Sequence, residues 1–399
     1  MELPLSKRIS ALKPSPTVAL NGKATEMARQ GIKVFNFAVG EPDFPTPELI
    51  TSVAIDSLQK GRTKYAPAGG SPALRQAIQK KLLRDNQLQY EADEIVVGIG
   101  AKEILFHIML ALLNEGDEVL VPAPYWVSYP EQIEAAGGKA VIIPMPDDHH
   151  APRLSPEAIA AYATPRTRAI ILNSPNNPAG YIIKNEELKA IGQYLSDQPW
   201  WIIGDEIYEY MSFAEKPISL AHLVPEIKDR YILVNGLSKG FAMTGWRVGY
   251  MAGPKPVAKL VKTLQSQSST CLPPFIEDAS IVALDHGRGV MADKFQVLQD
   301  RRDLAVKCLR DIPDVDMIPP EGAFYVFIDI RKNLQNSTHQ VAKGGSFSFG
   351  EYLLEKYHVA MVPGEAFGVP GFLRLSYAVS EDDIRKGIEK LGQALASIR

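Results

Sequence analysis

Cysteine is scarce. Cys271 and Cys308 are the only two in 399 residues, too few for a disulfide framework, and both read as small buried apolar residues. Those two and seven histidines show no zinc-binding spacing. An excess of charge of one sign is missing too. Lysine and arginine total 43 against 46 acidic residues, so no basic surplus points to nucleic acid. No apolar run approaches the ~18 residues of a membrane span. The longest apolar helical candidate, 104–113, is short and interrupted by His107. The opening MELPLSKRISALKPSPTVAL lacks the continuous apolar stretch of a secretory signal. No repeat or low-complexity tract occurs, and a composition 46% hydrophobic and 22% charged excludes a disordered chain. These absences lead us to expect a cytoplasmic protein in a reducing compartment that neither enters a membrane nor binds nucleic acid. The length suggests two or three domains at roughly 150 residues each.

What is present is an alternation of short apolar runs with amphipathic stretches. EIVVG (94–98), DEVLVP (117–122), KAVIIP (139–144), AIILN (169–173), WWIIGD (200–205), YILVNG (231–236) and WRVGYMA (246–252) read as strands. Most are apolar throughout, as strands buried on both faces of a largely parallel sheet are. Ile104, Leu105, Ile108, Met109 and Leu112 form one face of a helix after the first strand. Leu188, Ile191 and Leu195 form another, which Asn185 could cap. This predicts an α/β fold, with a doubly wound, mostly parallel sheet in a large domain over 48–285. A smaller α+β domain, 1–47 plus 286–399, would hold the strands GAFYVFIDI (322–330) and FLRLSYAV (372–379). It ends in a helix over 380–399 that sets Ile384, Ile388, Leu391, Leu395 and Ile398 on one stripe.

Parallel α/β sheets carry their sites at the carboxyl ends of strands, and four such ends carry informative residues. Gly98-Ile99-Gly100-Ala101-Lys102 opens a helix whose free amides would suit a phosphate; Glu103 stands where a dinucleotide fingerprint needs its last glycine. Asn177 lies in the turn SPNNPAG (174–180). Asp205 ends an apolar strand and so wants a positive partner, with Tyr208 one helical turn on. Lys239 follows another strand, in small and apolar surroundings. A lone lysine is ordinarily a solvated charge, but desolvation and a nearby cation lower its pKa and make it a Schiff-base nucleophile. Arg247, read as lying inside an apolar strand, wants an anion. Pyridoxal 5′-phosphate accounts for all of these together: a phosphate, a pyridine nitrogen for a carboxylate, an aldehyde for a lysine, and a phenolic oxygen for a tyrosine and an asparagine.

SKGFAMTGWRVGY (238–250), NNPAG, DEIYEY, GEPDF (40–44) and KYAPAGG (64–70) carry a resemblance to class I, fold-type I pyridoxal-phosphate aminotransferases, nearest to the bacterial-type aspartate aminotransferase subgroup. The resemblance implies that Lys239 holds the cofactor and acts as catalytic base. It implies that Asp205 pairs with the pyridine nitrogen, and that Tyr208 and Asn177 bond the phenolic oxygen. Gly100, Ala101, Lys102, Ser238 and Arg247 would hold the phosphate, and Trp126 would stack on the ring. Tyr65 would reach the phosphate of a partner subunit, making a homodimer with shared sites. Gly40, Trp126, Asn177 and Arg374 would bind substrate, Arg374 through its α-carboxylate; alternation in FLRLSYAV sets Phe372, Arg374 and Ser376 on one face. Ser15, Thr17 and Lys102 would take a distal carboxylate.

Three positions depart from the family pattern: Gly236, Ser174 and Ala179. The activity implied is ping-pong transfer of an amino group from aspartate to 2-oxoglutarate. Prephenate or an aromatic amino acid is an alternative substrate, with Lys13 and Thr17 holding a second carboxylate, and a pyridoxal-phosphate β-lyase is an alternative reaction. A non-catalytic regulator of this fold would carry an added DNA-binding domain, and no basic helix-turn-helix precedes residue 30.

Overall fold

Two-sided burial explains the continuous apolar strands. In successive residues Val96 and Val97, Leu120 and Val121, Ile170 and Ile171, Ile202 and Ile203, and Leu233 and Val234, one side chain enters a core on one face of a sheet and the next enters a core on the other. A computed structural model describes residue 3 and residues 5–146 and 153–399. The first residues of the segment weighed as a targeting signal, and His149 and His150, lie outside the described residues.

The strands, in chain order, are β1 (Phe35–Asn36), β2 (Ile95–Ile99), β3 (Glu118–Pro122), β4 (Lys139–Ile143), β5 (Thr167–Asn173), β6 (Trp201–Asp205), β7 (Tyr231–Gly236), β8 (Val248–Ala252), β9 (Asp316–Ile318), β10 (Tyr325–Asp329), β11 (Val359–Ala360), β12 (Val362–Pro363) and β13 (Phe372–Ser376). Seven form one sheet in the order β2-β8-β7-β6-β5-β3-β4. β7, β6, β5, β3 and β4 run parallel, and β8 lies antiparallel between β7 and β2. The fold is thus α/β with a doubly wound, mostly parallel sheet. The order reverses between β6-β5 and β3-β4, where such sheets open a crevice.

A second sheet, β12-β13-β10-β9, is antiparallel. Leu373 and Leu375 of β13 face a separate core with Ile384, Ile388, Leu391 and Leu395 of the helix Glu381–Ser397. Ser380 caps that helix by accepting from the Asp383 amide at 3.2 Å. β1 pairs with β11, so the N-terminal segment joins this C-terminal part. The helix Pro274–Arg310, 37 residues or about 55 Å long at 1.5 Å per residue, passes from one core to the other.

Some local expectations need correction. Asn185 is the first residue of the helix Asn185–Ser196 rather than its cap; the Lys184 amide, one residue earlier, donates to Glu187 at 3.3 Å. The strand read over 322–330 begins only at Tyr325, because Ala323 takes a left-handed φ of 56°. Cys271 and Cys308 are half-buried free thiols rather than core residues.

Candidate active site

The crevice is a cavity of about 530 Å³ where the carboxyl ends of the parallel strands meet β10 and β13. Its floor begins at β2. Gly100 takes a φ of 81° and leads the helix Ala101–Leu112, a conformation that favours glycine. The amides of Ala101 and Lys102 have no acceptor among the described residues. A Cβ on Gly249 of β8 would overlap the Ala101 amide, so that glycine lets strand and helix end abut. Glu103 accepts from the Ile99 amide at 2.6 Å; the residue that breaks the dinucleotide fingerprint closes this turn.

Arg247 corrects the sequence reading. It lies one residue before β8, exposed, with a φ of 60°. A guanidinium there needs no buried counter-ion, and its Nη1 donates to the Thr244 carbonyl at 3.0 Å. A Cβ on Gly100 would stand 2.5 Å from Arg247 Nη2. The guanidinium therefore crowns the helix end that carries the two open amides, and together they make a cradle for an anion. Buried Ser238 lines the same cavity. Gly236, where the family often has serine, has no room for one: a Cβ would meet the Val248 carbonyl at 2.6 Å.

Asp205 ends β6 and is buried. A positive partner is expected for it, but its oxygens take the Tyr129 hydroxyl at 2.6 Å and the Ile207 amide at 3.3 Å. Burial dominates, raising its pKa from 3.8 to about 6 against those hydrogen bonds and the Lys239 charge. Lys239, partly buried, donates to the Gly40 carbonyl at 2.6 Å. Desolvation, helped by Arg247, Arg374 and Lys102 and opposed by Glu41, lowers its pKa from 10.5 to about 8. An amine so placed is a fair nucleophile near neutral pH.

The opposite wall is built by the second sheet. Arg374 of β13, 2% exposed, donates to Asn177 Oδ1 at 3.0 Å and to the Ala38 carbonyl at 2.8 Å, while its Nε lacks a partner. Burial lowers its pKa, eased by the Tyr325 and Tyr208 oxygens. Asn177 Nδ2 donates to Tyr208 Oη at 3.3 Å, and Tyr208 Oη meets Tyr325 Oη at 3.1 Å. The turn over 174–180 is braced despite its departures: Ser174 Oγ accepts from the Ile183 amide at 3.0 Å, and Ala179 donates to Asn176 at 3.0 Å.

At the mouth, the Lys102 amine stands 5.0 Å over the Trp126 ring, and desolvation and the Arg247 cation lower its pKa. Thr17 lines the cavity; Ser15 does not, and its hydroxyl meets that of Thr17 at 2.9 Å. Lys13 also lies outside the lining, its amide donating to Glu131 at 2.9 Å. Tyr65 is 89% exposed and away from this cavity. Among the lining residues that escaped the sequence reading are Tyr129, on Asp205, Tyr325, between Tyr208 and Arg374, and Glu41, whose charge acts on Lys239. Tyr325 sits in an apolar strand and Tyr129 in the first turn of the helix Ser128–Ala135, and neither position marks a phenol as polar machinery; the PYWVSYP and GAFYV contexts were the available signals.

No cluster among the described residues could hold a metal. A second cavity, about 460 Å³ beside Glu206, shares no lining residue with the first. Its neighbours Lys81 and Glu209 already form a buried ion pair.

The residues fit pyridoxal phosphate: an anion cradle with open amides, a buried carboxylate without a cation, and a desolvated amine, all on one cavity. Fold and site together define a pyridoxal-phosphate enzyme of fold type I. The profile of the class I and II aminotransferases matches residues 32–391. A probable aspartate/prephenate aminotransferase of Aquifex aeolicus is 45% identical over 99% of both chains. An aspartate aminotransferase of Geobacillus stearothermophilus is 41% identical over 97% of this chain and 98% of that one. The crystal structure of the Rhizobium meliloti aspartate aminotransferase superposes with a TM-score of 0.94 at 38% identity over 100% of each chain. That of Thermus thermophilus with maleate gives 0.92 at 38%, covering 98% of this chain and 100% of that one. The chain belongs to the class I and II aminotransferases, and it is a pyridoxal-phosphate-dependent transaminase. Among the described residues no helix is long and apolar enough to cross a membrane.

Proposed function

We propose that this enzyme moves the α-amino group of aspartate to 2-oxoglutarate in two half-reactions, with Lys239 as the acid–base group and Arg374 as the anchor of the α-carboxylate. The observation that carries the reading is the opposition of three charges across one cavity: Lys239, its pKa lowered by burial, between the buried Asp205 carboxylate and the buried Arg374 guanidinium. Pyridoxal phosphate, when bound, supplies an electron-withdrawing ring that acidifies the substrate Cα. Asp205 keeps a proton on the ring nitrogen. Arg247, Ser238 and the Ala101 and Lys102 amides, beside Gly100, hold the phosphate, and Trp126 covers the ring. Tyr208 and Asn177 bond the phenolic oxygen. With the cofactor bound, Lys239 Nζ would be the group that takes the proton from the substrate Cα and returns it, as base and then acid.

Aspartate is favoured because Lys102 and Thr17 line the same cavity as Arg374, with Ser15 hydrogen-bonded to Thr17, and so offer a cation and a hydroxyl to a distal carboxylate. Gly40 allows a substrate backbone close to Lys239. Prephenate is the second reading. The names of relatives from Aquifex aeolicus and Nitrosomonas europaea support it, while Lys13, outside the lining, lends it no cation. Mixing the pyridoxal form of the holoenzyme with aspartate or tyrosine, and the pyridoxamine form with 2-oxoglutarate or prephenate, and following the cofactor absorbance separates them. Aspartate should react faster than tyrosine, and 2-oxoglutarate faster than prephenate; a prephenate rate at least equal to that of 2-oxoglutarate would make the second reading the better one.

The same proposal includes a homodimer with shared sites, supported by the exposure of Tyr65, a tyrosine with no role in its own chain's cavity. Inactive Lys239→Ala chains refolded together with weakened Tyr65→Phe chains should raise the activity per Tyr65→Phe chain, whereas independent sites would leave it unchanged. It also includes a division into 48–285 and 1–47 plus 286–399, supported by the β1–β11 pairing, with the second boundary inside the helix Pro274–Arg310. A cytoplasmic location is supported by the two free thiols.

A further inference from the structure

Arg374, Asn177, Tyr208 and Tyr325 close a ring that joins the two sheets. Arg374 is only a donor, so the Asn177 oxygen must face it, at 3.0 Å. The Asn177 amide nitrogen is thereby turned to Tyr208 Oη, at 3.3 Å, and Tyr208 accepts there. Tyr325 comes next. It is diagonal to Arg374 on one face of the β10–β13 pair, and its ring lies 4.5 Å from the guanidinium carbon. Its hydroxyl has one hydrogen-bonding neighbour among the described residues, Tyr208 Oη, at 3.1 Å.

A hydroxyl oxygen can accept two hydrogen bonds and donate one. We infer that Tyr325 donates to Tyr208, so that Tyr208, already accepting from Asn177, has its own proton directed at the phenolic oxygen of the cofactor. Tyr325 is then a positioning residue. Its ring supports the arginine that takes the substrate carboxylate, and its hydroxyl sets the proton of the tyrosine that faces the cofactor. The Arg374 cation, by fixing Asn177, orients the same proton from the other side. This rests on the function proposed above and deepens it.

The test reads the absorbance of the lysine-bound cofactor against pH. The less Tyr208 donates, the more firmly the phenolic oxygen retains its shared proton, and the higher the pH that removes it. Chained hydrogen bonds strengthen one another by about 10–30%. Tyr325→Phe, which keeps the ring, should therefore raise the midpoint by about 0.2–0.5 pH unit and leave maleate affinity within about twofold. In a Tyr208→Phe background the same substitution should add nothing. A fluorinated tyrosine at 325, a stronger donor of the same shape, should move the midpoint down, and it keeps the test open should Tyr325→Phe fail to fold. An unmoved midpoint, an equal shift without Tyr208, or a tenfold loss of maleate affinity in Tyr325→Phe would overturn the inference. Failure of the underlying function is seen separately, in the unsubstituted chain, as the absence of any pH-dependent cofactor band.

Discussion

Asp205→Asn should stabilise the cofactor-free protein while disabling it. Burial raises the Asp205 pKa from 3.8 to about 6. For a raised pKa, the folded form is favoured in full below the unfolded value, and that benefit is lost as pH rises through the folded value. Above about pH 6, the ionised buried carboxylate therefore costs the fold roughly 1.36 kcal/mol per unit over two units, about 3 kcal/mol at most. An amide is neutral at every pH and still accepts from Tyr129, losing only the longer bond from the Ile207 amide. Urea unfolding of the cofactor-free chains, wild type and variant, should show the variant more stable by up to about 3 kcal/mol at pH 7.5, the gain vanishing towards pH 4. The cofactor should bind the variant more weakly, because the ring nitrogen loses its counter-ion. A variant no more stable at pH 7.5, or a gain independent of pH, would refute the reasoning: the Asp205 carboxyl would then ionise in the empty fold as readily as in the unfolded chain.

Three further substitutions and one titration follow from the same geometry. Lys239→Ala should retain the cofactor non-covalently and lose at least about 10³-fold in kcat, read by absorbance and steady-state rates. Arg374→Lys forfeits the bidentate fork and one of the bonds to Asn177 and Ala38; kcat/KM should fall about 30-fold or more, for aspartate and tyrosine alike. Lys102→Ala should lower kcat/KM about tenfold for aspartate and little for tyrosine. With its pKa lowered to about 8, Lys239 is about a tenth neutral at pH 7. Stopped-flow capture of the cofactor should accelerate with pH and level off near 8 to 9; a rate still climbing towards 10.5 would mean an ordinary solvated lysine.

The sequence by itself determined the element types, the carboxyl ends of the parallel strands and most of the charged residues that line the cavity. Apolar runs such as WIIGD and YILVNG leave a parallel, doubly covered sheet as their natural packing, and Asp205, Lys239 and Arg374 are informative because a charge in such company needs a reason. Phenols carry no such signal. Tyr129 and Tyr325 fit an apolar core equally well, and only the fold brought one hydroxyl to Asp205 and the other to Tyr208. Arg247 misled because a strand's apolar pattern does not mark its first residue, and its left-handed φ of 60° lifts it onto the helix end instead. The tertiary structure alone decided that β8 runs against its neighbours, that β1 joins β11, and that β13 faces β6 across the cavity. Hydrophobic period records which face of an element is covered; the partner that covers it is chosen by contacts between residues far apart in the chain.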